Sequence, residues 1–264
     1  MIDLQEEGSP GVLLLHGFGD TPQTLGLLAR RLRKSGYSVL APLLPGHGRS
    51  MASFRKSRAR DWVAAANAAY VAMYASHASV SVVGLSMGGA LAVLLAARQR
   101  DIPALVLIAP YLGMPRVLRV AAATHWLWGR LAGEVNARSP RSIRDPIERE
   151  KNLAYGTVTG RELRELSDVV KRARKALTEI RAPTLIVQSR EDPRISPHVA
   201  EFALKTLGSA EKELVWTEGA GHIITVDYGR ERVFSEVERW LGAHHRPGAA
   251  AATGNRAAAE RPKT

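Results

Sequence analysis

An α/β fold, built on a mostly parallel central sheet with helices on both faces and one helical insertion, is what this sequence predicts. Three observations carry the prediction. Short apolar runs alternate with helical patterns along most of the chain, the rhythm of strands joined by crossover helices. The rhythm stops after Pro110 and returns at Pro183, which marks an insertion. The 264 residues are 45% hydrophobic and 23% charged, the make-up of a soluble chain with a single sizeable core.

Val12-Leu13-Leu14-Leu15-His16 reads as the first strand. Thr21-Pro22 then starts a helix with Leu25, Leu28, Ala29 and Leu32 on one face, and Gly36 ends it. Residues 37–41 form the next strand, and the punctuated loop Pro42-Leu43-Leu44-Pro45-Gly46-His47-Gly48 follows. Asp61 can cap a helix from Trp62 to about Ser76. Val80-Ser81-Val82-Val83-Gly84 is a buried strand that passes without a linker into a small-residue helix over 87–97, and 104–109 is a further strand. From Tyr111 to about Ile180 there is no strand pattern, only helix-like stretches and turns such as Ser139-Pro140 and Asp145-Pro146. A strand over 183–188, a helix over 196–207, a strand near 213–216 and a helix over 230–241 complete the reading. The domains expected are therefore a core of 1–110 with 181–243, a helical insertion of 111–180, which the resemblance given below makes a cap, and a tail of 244–264. The tail is mostly Ala, Gly, Pro, Arg and Lys, too poor in large apolar residues to offset its ordering entropy, and is expected to be disordered.

Composition removes several function classes. With no cysteine, disulfides, thiolate metal ligands and cysteine nucleophiles are excluded. Acidic residues at the start, in Asp3, Glu6 and Glu7, do not fit the positive region of a signal peptide. The longest apolar runs fall far short of the ~20 residues a membrane span needs, so a cytoplasmic protein without stable membrane insertion is expected. A net charge of +12 raises the question of nucleic acid. The basic residues are scattered, as in Arg30-Arg31-Leu32-Arg33-Lys34 and Lys171-Arg172-Ala173-Arg174-Lys175, with no interleaved aromatics that would stack on bases. They are read as a solubilising surface.

The chemistry-bearing motif is Gly84-Leu85-Ser86-Met87-Gly88, a G-x-S-x-G between a predicted strand and a predicted helix. A tight strand-to-helix turn holds its serine in a strained conformation, and only small neighbours fit there. A serine hydroxyl needs a base, and the base needs a group that fixes its tautomer. In this type of fold the order is Ser, then Asp or Glu, then His, each on a loop after a strand. Asp192 follows the strand ending near Val187, and His222 follows the one ending near Trp216. Of the eight histidines, only His222 lies in the last strand-to-helix loop. His16 and His47 are read as loop-organising hydrogen-bond formers, and Glu191 is the rival acid to Asp192. For the oxyanion hole, backbone N–H groups of Met87, just after the nucleophile, and Phe18, in the H-G-x-G stretch His16-Gly17-Phe18-Gly19, are the candidates.

These motifs, with the L-P-G-H-G loop, Asp61-Trp62, Gly88-Gly89 and the late Gly219-Ala220-Gly221-His222, resemble those of bacterial carboxylesterases and monoacylglycerol lipases of the α/β-hydrolase superfamily. The likeness spans roughly Gly11 to Leu241 and is strongest to the bacillary monoacylglycerol lipases, which also share the stretch Asn152-Leu153-Ala154-Tyr155. It implies the α/β-hydrolase fold, a cap over the site, a glycerol or short-alcohol subsite, an acyl channel and no metal or cofactor. The expected partner is an ester or monoacylglycerol, and the expected state a monomer or homodimer. One departure is Asp192-Pro193-Arg194-Ile195, where such enzymes more often have an apolar pair two residues after the aspartate; Pro193 restricts the aspartate's backbone. The same triad would serve a thioesterase, an acyltransferase or a carbon–carbon bond hydrolase. A non-catalytic ligand-binding protein would be expected to lack a triad member, and all three are present. The apolar residues Val117, Leu118, Val120, Trp126, Leu127, Trp128 and Leu131 are expected in part to wall an acyl-chain site.

Overall fold

In the computed structural model, residues 1–6, 9–128, 133–137 and 139–245 are described. Leu131, the side chain of Trp128 and the chain beyond 245 lie outside them.

The chain opens with β1 (Ile2–Leu4), β2 (Gly11–Leu15), a 3-10 turn over Pro22–Leu25, α1 (Gly26–Lys34) and β3 (Ser38–Ala41). Next come α2 (Met51–Lys56), α3 (Ala59–Tyr74), β4 (Val80–Leu85), α4 (Met87–Ala96) and β5 (Leu105–Ile108). The segment after β5 holds α5 (Arg116–Ala123), α6 (His125–Trp128), β6 (Val135–Asn136), α7 (Pro146–Glu150), β7 (Thr157–Val158) and α8 (Gly160–Ala176). β8 (Thr184–Ser189), α9 (Pro197–Thr206), β9 (Lys212–Thr217) and α10 (Arg230–His244) finish the domain.

Seven strands form one sheet in the order β1-β3-β2-β4-β5-β8-β9. Every pair is parallel except the edge pair β1–β3. Parallel strands need covered faces, and β2 shows how that is met. Its alternate residues Leu13 and Leu15 enter a cluster with residues of α3, α4, α8 and α9. Val12 and Leu14 enter a second cluster on the opposite face with residues of α1 and α10. The α/β architecture with helices on both faces is thus the one predicted.

Five details differ from the expectation. α10 runs to His244 and His245 is buried between the Ser79 and Ser81 hydroxyls, so these two residues belong to the folded core and not to the tail expected from 244. β1 is an added edge strand; at three residues it carries too little alternation to be seen in sequence. α2 begins after Ser50, whose hydroxyl accepts the Ser53 N–H at 3.2 Å, in a stretch whose arginines and lysine mask its one buried apolar residue, Phe54. α3 starts at Ala59, so Asp61 caps it from within the first turn, accepting the Arg58 N–H at 2.9 Å. Between β5 and β8, where only helices and turns were expected, β6 and β7 pair as a two-residue antiparallel ribbon. α8 from the same segment lies directly on α4, burying Leu166, Val169, Val170 and Ala173. No described helix is long and apolar enough to cross a membrane.

Candidate active site

Ser86 sits between β4 and α4 at φ 56°, the strained positive-φ geometry expected of the turn. The glycines make it possible. A Cβ at Gly88 would overlap the carbonyl of Leu15, and one at Gly84 would overlap the carbonyl of Gly88. The turn is tied down by Ser86 N–H to the Ile108 carbonyl at 2.9 Å, and the Ser86 carbonyl accepts from Gly89 and Tyr111, both at 2.9 Å.

The structure brings the three predicted side chains together. Ser86 Oγ lies 2.8 Å from His222 Nε2, and His222 Nδ1 lies 2.8 Å from Asp192 Oδ2. Asp192 Oδ1 accepts the N–H groups of Arg194 at 2.7 Å and Ile195 at 3.0 Å, so Pro193 leaves the loop able to wrap its carboxylate. Gln188, which sequence reasoning missed, donates from Nε2 to Asp192 Oδ2 at 2.9 Å. Burial alone would push the Asp192 carboxyl up, but the His222 charge, the His222 hydrogen bond and the Arg194 and Ile195 N–H groups hold it below the usual carboxylate range. Glu191 points elsewhere: it pairs with Arg144 and accepts the Gly219 N–H at 3.2 Å.

The other histidines are occupied. His16 Nδ1 donates to the Gly17 carbonyl at 2.9 Å and its Nε2 accepts the Leu44 N–H at 3.1 Å, which fixes one neutral tautomer. His47 Nδ1 donates to the Pro45 carbonyl at 3.0 Å. Burial drives His16 down to about 3 and His47 down to about 4. Both organise the loops after β2 and β3, as expected. Trp62 supports the same loop, donating from Nε1 to the Pro45 carbonyl at 3.1 Å.

Met87 directly follows the nucleophile, and Phe18 lies with Ser86 on the wall of one cavity. Met87 is the first residue of α4, so its N–H is one of the unpaired donors of a helix start. Phe18 follows Gly17, where an added Cβ would lie 3.4 Å from Ser86 Cβ. The Phe18 ring is anchored against Phe54, Trp62 and His47, and the Gly19 carbonyl accepts the Tyr155 N–H at 3.0 Å. The Tyr155 hydroxyl in turn donates to the Gly46 carbonyl at 2.7 Å. The stretch singled out at 152–155 therefore ties the segment between β5 and β8 to the loops after β2 and β3.

Ser86 and His222 open into a cavity of about 1260 Å³. Val117, Leu118 and Val120 of α5 line it, together with Leu163 and Leu166 of α8. Val117 is 78% and Val120 62% exposed, which sets them at an open mouth. Trp126 and Leu127 are exposed and do not line the cavity, so of the described apolar residues expected in part to wall the site only Val117, Leu118 and Val120 are seen on the wall. Asp20, also on the wall, is buried and accepts from Thr21 N–H and Thr24 Oγ–H, both at 2.8 Å.

Comparison with known proteins fits this geometry. The family model described as serine aminopeptidase, S33, matches residues 9–228. A thermostable monoacylglycerol lipase of Bacillus sp. (strain H-257) is 30% identical over 241 residues, covering 90% of this chain and 93% of the relative. A carboxylesterase of Bacillus subtilis (strain 168) is 26% identical over 236 residues, covering 89% of this chain and 93% of the relative. A solved structure from work on LipS and LipT, two metagenome-derived lipolytic enzymes, superimposes with a TM-score of 0.84 at 30% identity, covering 92% of this chain and 97% of that one. This chain belongs to the serine aminopeptidase S33 family of α/β-hydrolases.

Proposed function

We propose that this protein is a serine carboxylic ester hydrolase that cleaves monoacylglycerols and short-to-medium-chain esters, with Ser86 as nucleophile, His222 as general base and Asp192 as the group that orients it. The observation that carries the reading is the run of two 2.8 Å hydrogen bonds from Ser86 through His222 to Asp192 at the wall of a large cavity. Ser86 Oγ attacks the ester carbonyl carbon while His222 Nε2 takes its proton. The negative charge that develops on the carbonyl oxygen is met by the N–H groups of Phe18 and Met87. Collapse of the tetrahedral intermediate breaks the ester bond, and the alcohol, glycerol for a monoacylglycerol, leaves with the proton from His222. Water repeats the sequence on the acyl-enzyme and releases the fatty acid, restoring the serine. Asp192, ionised in its ring of donors, keeps Nδ1 protonated so that Nε2 faces the serine.

Segment 111–180 serves in this reading as a cap, with α8 as the base it shares with the core. The relatives named above, a monoacylglycerol lipase and a carboxylesterase, support the substrate class. So do the apolar residues of α5 and α8 along the cavity, since each methylene buried there contributes about 0.8 kcal/mol. The cavity exceeds the roughly 300–1,000 Å³ of ordinary ligand sites, which leaves room for an acyl chain beside a glycerol head.

The test is kcat/KM for p-nitrophenyl esters from acetate to palmitate and for monoacylglycerols, run beside an acyl-CoA and an olive-oil emulsion. Medium chains are expected to exceed acetate, and the emulsion to be cleaved poorly. Ser86→Ala should abolish turnover, and a fluorophosphonate should modify the Ser86 peptide of the wild-type protein alone. A flat acyl profile, fast emulsion hydrolysis or a labelled Ser86→Ala protein would each overturn the reading.

A further inference from the structure

Asp227 is fully buried between the histidine loop and α10, and every partner of its carboxylate among the described residues is a main-chain N–H. Oδ2 accepts from Gly221 at 2.7 Å and Arg144 at 2.9 Å. Oδ1 accepts from Asp145 and Tyr228, both at 2.9 Å. Each oxygen therefore joins one N–H from the chain that carries His222 to one from the segment between β5 and β8. Two further bonds run across the same junction: the Ser142 carbonyl accepts the N–H groups of His222 and Ile223, both at 2.9 Å. Gly221 completes the fit, because a Cβ there would overlap the carbonyls of Arg141 and Ser142.

A buried carboxylate is stable only while its donors are in place, and bonds to a charged acceptor are the strong kind. Asp227 thus holds both sides of the junction to one geometry. We infer that Asp227 is a positioning residue for His222: it locks the loop carrying the base to residues 142–145, so that the imidazole stays within reach of Ser86 only while that segment is docked. The inference rests on the reading of His222 as the base. It also makes the segment between β5 and β8 part of the catalytic apparatus as well as a wall of the cavity.

Asp227→Asn in the full chain tests it. The new amide NH₂ must face either the Gly221 and Arg144 donors or the Asp145 and Tyr228 donors, so one pair is lost whichever way it turns. The far-UV circular dichroism should be retained while kcat on p-nitrophenyl butyrate falls roughly 10²-fold, the scale of a base misplaced by about 1 Å. KM should stay within about threefold of wild type. Fluorophosphonate labelling of Ser86 should slow by the same factor as kcat, and the downfield proton resonance of His222 Nδ1–H should broaden or shift. In a His222→Ala background the substitution should cause no further loss of residual activity. Unchanged kcat and labelling with only a lower melting temperature would reduce Asp227 to a structural role and overturn the inference. If Asp227→Asn does not fold, amide exchange in the wild-type protein decides: the N–H groups of Arg144, Asp145, Gly221 and His222 should exchange slowly and as one group, and independent fast exchange would overturn it. Retained activity in His222→Ala alone would fault the base assignment instead, whatever the amide protection at Asp227.

Discussion

Glu191 and Asp192 are neighbours in sequence, yet their surroundings give them different work. Asp192 is enclosed by His222, Gln188 and two main-chain N–H groups, so neutralising it removes the partner that fixes the imidazole. Glu191 is partly exposed and engages Arg144 at the surface, where an ion pair is worth about 1 kcal/mol or less. Asp192→Asn should accordingly lower kcat by about 10⁴-fold, as expected when the base is left in the wrong tautomer. Glu191→Gln should leave kcat within about threefold; a comparable loss in both, measured on one ester, would move the acid by a residue. Ser86, His222 and Asp192 were legible because each is marked locally, by a glycine motif or by its place after a strand. Gln188 and Asp227 were not. Gln188 is a polar residue inside the buried strand β8 whose bond to Asp192 appears only once the following loop turns back on it, and Asp227 draws two of its four donors, Arg144 and Asp145, from more than eighty residues away, so neither carries a local sign of its role.

The elbow between β4 and α4 is the element whose geometry tolerates least. Gly88 lies against the Leu15 and His16 carbonyls, so Gly88→Ala must displace the end of β2, the strand that leads into the Phe18 loop. The expected outcome is a protein that has lost most activity and stability, at a cost of several kcal/mol of the kind overpacking brings. Gly242 in α10 is the control. Nothing lies within 4 Å of a Cβ added there, and alanine should raise stability by about 0.5–1 kcal/mol. Urea midpoints for the two variants check the pair, and a mild effect at Gly88 would contradict the crowding. Among the elements, the buried strands were readable because parallel strands covered on both faces are continuous apolar runs, as in Val12-Leu13-Leu14-Leu15. β6 and β7 were not, because each is a two-residue strand. Val135 and Asn136 are exposed, and a strand so short has no period to detect. The apolar cluster that includes α5 was recognised, but helical spacing alone does not tell that Val117, Leu118 and Val120 line the cavity while Trp126 and Leu127 do not.

Across the molecule, acid should act against the native state through histidines that the fold keeps neutral. Burial lowers His16 to about 3, His47 to about 4 and His245 to about 4. His245 is held at the far end of the sheet between the Ser79 and Ser81 hydroxyls, both at 2.7 Å. Because these folded values lie below the ordinary histidine value, the unfolded chain binds protons that the native state refuses. Their stability is therefore fully present above about pH 6.5 and is lost as the pH falls toward about 4. Asp20 works in the opposite sense. Burial raises it to about 6, so the native state keeps a proton that the unfolded chain has released, and Asp20 costs stability as the pH rises through about 6. Three histidines outweigh one aspartate, and the net charge of +12 grows on acidification, adding self-repulsion in the same direction. The protein should thus lose stability steadily between about pH 7 and about pH 5, with about 2 kcal/mol of that loss belonging to His47. His47→Phe isolates this share. A phenyl ring keeps the packing against Phe18, Phe54 and Trp62 while removing the titration. It also forfeits the bond to the Pro45 carbonyl, so the variant should begin less stable near pH 8, yet its unfolding free energy should fall less steeply on acidification. The slope, and not the starting value, carries the test: denaturant titrations at several pH values that gave parallel curves for His47→Phe and wild type would show that His47 contributes nothing to acid sensitivity.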